Sequence, residues 1–201
     1  HLARTRRVYE ARPDGQGGCH WQTVATDDLT PFVPPTEPPT FSAKAFFFAE
    51  REALFRFEGG RFVSVMPTPE PQAVFGLQAC DLVAVAYQDQ FFARDPHYQA
   101  RRAATLLVGF DCAQSCTHGF CATVDSGPEV RPGTADLILV PSASAWRLLI
   151  VSRAGRAAVQ GLELAPAPPG WPAERSAQAA RVALAQGHNP GIRAGIDALN
   201  A

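Results

Sequence analysis

The chain has 201 residues, which is enough for one sizeable domain. Its 18 Lys and Arg against 19 Asp and Glu leave a net charge of −1, so we expect no basic face for nucleic acid or anionic lipid. No apolar run approaches the ~20 residues of a membrane-spanning helix, and the start lacks a signal peptide, which favours a soluble, cytoplasmic protein without membrane insertion.

The first 65 residues are predicted to be rich in β-strands. Residues 5–10 and 20–24 flank a turn-rich segment and predict a hairpin, and residues 54–57 and 61–65 alternate around Gly59 and Gly60 as a second one. The apolar residues 44–48 predict a buried strand. Residues 30–40 contain five prolines and are typical of an extended surface linker.

From residue 73 onward, strand and helix patterns alternate, which predicts an α+β or α/β fold. Predicted strands cover residues 73–77, 105–110, 136–140 and 146–151, and predicted helices begin at Cys80, Asp95, Arg153, Pro172 and Gly191. We therefore expect a β-rich N-terminal section, then a mixed strand and helix domain with a cysteine loop. Residues 1–160 form one domain in this interpretation, and residues 161–201 form a helical tail.

The five cysteines are the most informative residues of the sequence: Cys19, Cys80, Cys112, Cys116 and Cys121. The last three of them lie within ten positions. A small secreted disulfide scaffold would be shorter and denser in cysteine. In a reduced compartment, clustered thiols favour metal or redox chemistry. If the strands before Cys80 and Cys112 are neighbours in one sheet, their ends bring Cys80 to the cysteine loop. Cys19, beside a glycine-rich turn, is expected to be uninvolved.

Four sulfur ligands at one point suit either zinc or an iron–sulfur cluster. The start of the helix at Cys80 favours the thiolate form that binds metal. Arg94, Arg101 and Arg102 could balance the negative charge of such a site. The spacing alone does not select the metal, and the plainer alternative is that the cysteines are scattered core residues.

The segments around these cysteines resemble motifs of the sulfhydrogenase β-subunit and anaerobic sulfite reductase A-subunit family. Residues 75–82 (FGLQACDL) are similar to its F-G-V-R-P-C-D-L motif, and Asp95-Pro96-His97-Tyr98 with Arg101-Arg102 is similar to D-P-x-Y-x-x-R-R. Residues 112–128 resemble N-C-x-x-P-x-x-x-C-F-C-x-S-M-G-x-G-P, and residues 44–52 resemble K-x-F-L-F-P-x-x-E. The resemblance runs in order through residues 34–160.

The resemblance implies a non-catalytic electron-transfer subunit of an oxidoreductase complex that binds a [4Fe-4S] cluster. Its partners would be a flavin- and NAD(P)-binding subunit and a catalytic subunit such as a hydrogenase or sulfite reductase. The family usually adds a C-terminal ferredoxin module with two clusters, and we expect this chain to lack it. The alternative function is a zinc-stabilised structural or interaction module without a redox role. A stand-alone thiol enzyme is a weaker third class, because no nucleophile–base pair is recognisable.

The cluster ligands expected from this reasoning are Cys80, Cys112, Cys116 and Cys121. The sequence departs from the family motif at Gly119, where the motif has the first cysteine of C-F-C. Two alternatives remain open: Cys116 supplies the missing ligand, or the site has three sulfurs and Asp111 or His118 completes it. Residues 30–40 and 172–200 are expected to wrap around partner subunits.

Overall fold

The protein is described by a computed structural model that covers residues 1–142, 145–187 and 190–199. Its strands are β1 (Arg7–Pro13), β2 (Cys19–Val24), β3 (Phe55–Glu58), β4 (Arg61–Ser64), β5 (Gln72–Gln78), β6 (Thr105–Phe110), β7 (Leu137–Pro141) and β8 (Trp146–Ile150). Six of them form one sheet in the order β2-β1-β5-β6-β7-β8. The four central strands β1, β5, β6 and β7 run parallel, and the two edges pair antiparallel. The fold is α+β, as predicted.

The helices are α1 (Ala79–Phe91), α2 (Pro96–Ala104), α3 (Arg153–Ala158), α4 (Trp171–Ala185) and α5 (Pro190–Leu199). On one face of the sheet, Leu82 and Val85 of α1 and Tyr98 of α2 pack in a core cluster with Val74 and Leu107 from the strands. A second cluster has fewer buried side chains, and Ala158 of α3 packs against it. Within the described ranges, no helix is both long and apolar enough to cross a membrane.

The strand predicted at residues 44–48 is wrong. A 3₁₀ helix spans Ala43–Phe47, and the hydroxyl of Ser42 caps it by accepting the N–H of Lys44 at 3.4 Å. Ala43 and Phe47 are both buried, and Phe46, one 3₁₀ turn after Ala43, is partly buried against the same core cluster. The run of three phenylalanines resembles a buried strand in sequence, but its neighbours in the fold are helices α1 and α2. The other predicted strands and helices are confirmed within a few residues at their ends.

The proline-rich stretch 30–40 is irregular, as predicted, but it packs against the sheet instead of lying free on the surface. The ring of Phe32 meets Phe75, Phe110 and Trp146 at centroid distances of 5.0, 5.8 and 5.6 Å. Pro35 is buried. This stretch therefore packs on the sheet and extends as far as the cysteine loop, where Glu37 accepts a hydrogen bond from Thr117.

Candidate metal centre

Two neighbouring parallel strands deliver the first two cysteines to the same edge of the sheet. Gln78 at the end of β5 is in register with Phe110 at the end of β6. Cys80 and Cys112 each follow two residues later, so they leave the sheet side by side. In open sheets of this kind, the carboxyl ends of parallel strands are a common place for ligand sites. The sequence interpretation that these two strands are neighbours is confirmed.

The chain after Cys112 folds back as a loop, residues 112–128, that closes on its own start. The N–H of Cys112 donates to the carbonyl of Pro128 at 3.1 Å. Inside the loop, the N–H of Gly119 donates to the carbonyl of Cys116 at 3.1 Å, and the N–H of Ser126 donates to that of Cys121 at 2.8 Å. Both bonds span few residues and make tight turns. These turns fix the backbone of the loop at Cys116 and at Cys121.

A close approach at Gly127 brings Cys121 to the start of α1. A Cβ atom built on Gly127 would lie 3.0 Å from the sulfur of Cys121 and 3.2 Å from the Cβ of Ala79. Real Cβ contacts are essentially never shorter than this, so glycine is the residue that fits between these two groups. Ala79 directly precedes Cys80. The sulfur of Cys121 therefore lies against the helix start, beside Cys80 and Cys112.

The pKa values of three of the four thiols are raised, in part by the thiols around them. Burial raises the pKa of Cys80 to about 12, with further contributions from the Asp81 carboxylate and from Cys121 and Cys116. Burial also raises the pKa of Cys112, and the thiols of Cys80, Cys121 and Cys116 add to that effect. In the same way, burial, Glu37 and Cys121 raise the pKa of Cys116. All four are free and partly buried, so the protein concentrates four sulfur donors in one poorly solvated place.

Backbone N–H groups oppose this increase in pKa at two of the cysteines. The N–H of Ala79, the first residue of α1, lies against Cys112 and favours its thiolate. The N–H of Asp81 does the same for Cys80. Both belong to the first turn of α1, where N–H groups have no partner inside the helix and attract negative charge. A metal cation would supply the remaining stabilisation, because bound thiols are deprotonated.

The arrangement of these thiols bears on which metal they suit. Over the described residues, no three His, Cys, Asp or Glu side chains are placed to hold a single metal ion. A structural zinc ion needs four donors around one point. In a [4Fe-4S] cluster each cysteine binds a different iron, so the sulfurs surround a larger volume. The two types of site therefore differ in the spacing that they require of the four sulfurs.

Gly119, where the sequence departs from the family motif, lies directly beside Cys116. A Cβ atom at Gly119 would be 3.0 Å from the sulfur of Cys116. Two other groups would be closer still, Oγ of Ser115 at 2.8 Å and Nε2 of Gln186 at 2.9 Å. The thiol of Cys116 is thus one of three groups around the space that a side chain at 119 would enter. This favours the first of the two alternatives, in which Cys116 supplies the fourth sulfur.

The two other candidate ligands, Asp111 and His118, are placed differently. Asp111 is buried, and its Oδ1 accepts the N–H of Val130 at 2.8 Å. Its two oxygens also accept bonds from the guanidinium of Arg175 at 2.6 and 3.0 Å. His118 is exposed and faces Glu37, whose pKa it helps to lower. The carboxylate of Asp111 thus fixes the base of the loop instead of pointing its oxygens at the cysteines.

Helix α4 packs over the loop and carries the site residues that sequence reasoning missed. Besides binding Asp111, Arg175 donates to the carbonyl of Val130 at 2.9 Å and pairs with Glu129 at 2.9 Å. Gln178 donates from Nε2 to the carbonyl of Cys112 at 3.3 Å. With the buried Val182, these residues recur at the spacing of one helix face. That spacing was the available signal, although the sequence does not say which part of the chain this face meets.

Two of the three arginines proposed from the sequence are engaged elsewhere. Arg101 pairs with Glu52 at 2.5 Å, and Arg102 pairs with Asp89 at 3.1 Å. Arg175 of the tail lies behind the cysteine loop, where it pairs with the carboxylates of Asp111 and Glu129.

The proline-rich stretch holds the loop from its other side. The carboxylate of Glu37 accepts the backbone N–H of Thr117 at 2.9 Å and its hydroxyl at 2.5 Å. These bonds, the hydroxyl first, lower the pKa of Glu37. Thr117 directly follows Cys116. The stretch therefore fixes the loop next to one of its thiols.

The surroundings of Cys19 differ from those of the other four cysteines. It is buried at the start of β2, and burial with the nearby Asp14 and Asp81 carboxylates raises its pKa to about 11. Its ionisation responds to these two carboxylates, whereas Cys80 and Cys112 also respond to other thiols. The expectation that it is uninvolved stays a prediction.

The outer side of the loop is open. The side chain of Phe120, next to Cys121, is 65% exposed. A separate recess of about 450 Å³ opens between residues 125–132, at the end of the loop, and three alanines of α4: Ala179, Ala180 and Ala183. The cysteine group is thus covered by α1 and α4 on the inside and lies near the surface at Phe120.

Comparisons of the chain with protein-family models, with curated proteins and with solved structures found no match.

Proposed function

We propose that this protein is an iron–sulfur electron-transfer subunit in which Cys80, Cys112, Cys116 and Cys121 bind one [4Fe-4S] cluster. The observation that carries the proposal is the register of β5 and β6. It sets Cys80 and Cys112 side by side at one sheet edge, where the closed loop adds Cys116 and Cys121. Four thiols gathered at one place are the donor set of such a cluster.

The surroundings of the thiols suit a negatively charged cluster. The N–H groups of Ala79 and Asp81 lie against Cys112 and Cys80 and favour their thiolate forms. Hydrogen bonds to the sulfurs are among the features by which proteins set the potential of iron–sulfur clusters. When bound, the cluster supplies one-electron chemistry. The chain's own residues hold the thiols and limit the access of water.

The open side of the loop supports a role in passing electrons to another protein. An electron carrier needs its redox centre near a surface that a partner can reach. Phe120 is exposed beside Cys121, and exposed aromatic residues are enriched at the centres of protein interfaces. We infer that a partner docks on the loop around Phe120.

A second surface available to a partner is the β3–β4 hairpin. Its register puts Phe55, Phe57 and Phe62 on one face, and they are 61%, 66% and 75% exposed. Contiguous exposed apolar side chains of this kind mark interaction sites.

The family resemblance indicates which partners to test: a flavin- and NAD(P)-binding subunit, and a catalytic subunit related to hydrogenase or sulfite reductase. The free state of all five cysteines supports a reducing compartment such as the cytoplasm.

The proposal is tested by isolating the protein without oxygen and measuring iron, acid-labile sulfide and zinc. We expect about four iron and four sulfide per chain, and an electron paramagnetic resonance signal of a [4Fe-4S] cluster after reduction with dithionite. A colourless protein with one zinc per chain would instead establish the zinc-stabilised module.

A further inference from the structure

The side chain of Gln186, the residue directly after α4, contacts the sulfur of Cys121. Its Nε2 lies 3.1 Å from that sulfur, and its Oε1 lies 3.4 Å from it. It reaches this position across 65 residues of sequence. None of the motifs around the cysteines includes Gln186, and it belongs to no part of the family resemblance.

The orientation of the Gln186 amide follows from its second partner. Its Oε1 accepts the backbone N–H of Ala122 at 3.0 Å. A backbone N–H can only donate, so the oxygen of the amide must face Ala122. The NH₂ group of the amide then faces Cys121. When Cys121 is a thiolate it can only accept, so the resulting bond is N–H···S.

Two glycines hold the amide in this place. Gly187, with φ of 65°, ends α4 in the left-handed conformation that suits glycine after a helix, so Gln186 stands at the helix end. A Cβ atom at Gly119 would lie 2.9 Å from Nε2 of Gln186. The glycine at 119 therefore leaves room for the amide as well as for the sulfur of Cys116.

We propose that Gln186 donates a hydrogen bond to the Cys121 ligand and thereby raises the reduction potential of the cluster. This inference rests on the proposed function. A donor beside a ligating sulfur is attracted more strongly when the cluster gains negative charge, because hydrogen bonds to charged acceptors are the stronger ones. The reduced state is therefore stabilised more than the oxidised state. Gln186 is a positioning and tuning residue, and it touches the ligand, not the iron.

The test compares three variants by redox titration followed with electron paramagnetic resonance. Gln186→Leu removes the donor at similar size, and Gln186→Glu keeps an acceptor for Ala122 while replacing the donor by oxygen. Gln178→Leu is the matched control, because Gln178 lies on the same helix but binds the carbonyl of Cys112 and not a sulfur. Both Gln186 variants should have a lower midpoint potential. At the wild-type midpoint, the ratio of reduced to oxidised cluster should fall up to about tenfold, which is about 59 mV for a one-electron couple.

A second readout detects the bond itself. The exchangeable proton of the N–H···S bond should couple to the reduced cluster in electron–nuclear double resonance. It should disappear in D₂O and in Gln186→Leu, and it should remain in Gln178→Leu.

Iron content separates the possible failures. Iron-loaded Gln186 variants with the wild-type midpoint, or an equal shift in Gln178→Leu, would overturn the inference and leave the proposed function standing. Loss of iron in both Gln186 variants but not in Gln178→Leu would also overturn it, in favour of a purely structural role. A wild-type protein that takes up no iron would overturn the proposed function, and the tuning role with it.

Discussion

Asp111 and Arg175 form a buried ion pair that joins the two ends of the candidate site. Arg175 donates to the two carboxylate oxygens of Asp111 at 2.6 and 3.0 Å, across 64 residues of sequence. Asp111 directly precedes Cys112, and Arg175 lies in the first half of α4. The pair therefore fixes the helical tail to the point where the cysteine loop leaves the sheet.

Removing the arginine of this pair should be costly. In Arg175→Met, the Asp111 carboxylate stays buried without its counter-charge, and breaking a buried pair in this way lowers the free energy of unfolding by about 3–5 kcal/mol. Urea denaturation of the purified protein measures it. The control is Glu174→Gln on the same helix, which breaks the pair of Glu174, 60% exposed, with Arg147 and should lower that free energy by no more than about 1 kcal/mol. Equal losses in the two variants would contradict this role of Arg175.

The bond between Glu37 and Thr117 should make the anchoring of the loop depend on pH. The pKa of Glu37 is lowered in the folded protein, so the stabilisation is present above the ordinary pKa of glutamate, about 4.3. It is lost as the pH falls through the lowered value. In Glu37→Gln, we expect the Thr117 amide to exchange with D₂O faster than in wild type at neutral pH, and at the same rate as in wild type once the pH is well below the lowered pKa of Glu37.

Nuclear magnetic resonance of the exchanging amides gives this comparison, and Glu58→Gln on the exposed hairpin is its control. A Thr117 amide that exchanges equally in wild type and Glu37→Gln at neutral pH would show that Glu37 does not hold the loop.

The local pattern of the sequence predicted most of the elements that position the cysteines. The apolar strands β5 and β6 and the helix that begins at Cys80 each follow from residues close together in the chain. Convergence of Cys80 and Cys112 could be anticipated once the two strands were taken as neighbours. The segment 44–48 was mistaken for a strand, because three adjacent phenylalanines do not distinguish a buried strand from a short buried helix.

The contacts of α4 could not be predicted from the sequence. Arg175 and Gln186 find their partners 64 and 65 residues away, and one sequence gives no signal for such pairs. The helical tail, with little apolar surface, is predicted from the sequence to wrap around a partner subunit, and this stays a prediction. Within the chain, polar residues of α4 and the following Gln186 bind carboxylate, carbonyl and sulfur groups of the cysteine loop.

The exchange between Cys116 and Gly119 can be tested by moving the thiol. Cys116→Ala should lose the cluster as completely as Cys112→Ala does. The double variant Cys116→Ala/Gly119→Cys returns a thiol to the loop, but a Cβ atom at 119 would lie 2.8 Å from Oγ of Ser115 and 2.9 Å from Nε2 of Gln186, so these side chains must shift. We therefore expect it to regain only part of the iron, measured by chemical analysis and visible absorption. An intact [4Fe-4S] cluster in Cys116→Ala would show that Cys116 is not a ligand.

The phenylalanine face of the β3–β4 hairpin should cause the isolated protein to self-associate. Phe57 and Phe62 are opposite one another on this face, with ring centroids 5.3 Å apart. Exposed apolar patches are aggregation sites when their partner is missing. Phe57→Ser/Phe62→Ser should therefore shift the mass measured by light scattering toward the monomer without loss of iron. Arg56→Ser on the opposite face is the control, and a shift in that variant alone would contradict this account.

The central claim is that four particular cysteines bind one cluster, and the iron content of five single Cys→Ser variants tests it most directly. Each protein is prepared without oxygen and reconstituted with iron and sulfide under identical conditions. Serine at Cys80, Cys112, Cys116 or Cys121 should remove most of the iron. Cys19→Ser should retain the wild-type content, because burial and carboxylates, not other thiols, raise the pKa of Cys19. Full iron retention in Cys121→Ser, or loss of iron in Cys19→Ser equal to that in Cys112→Ser, would contradict the assignment.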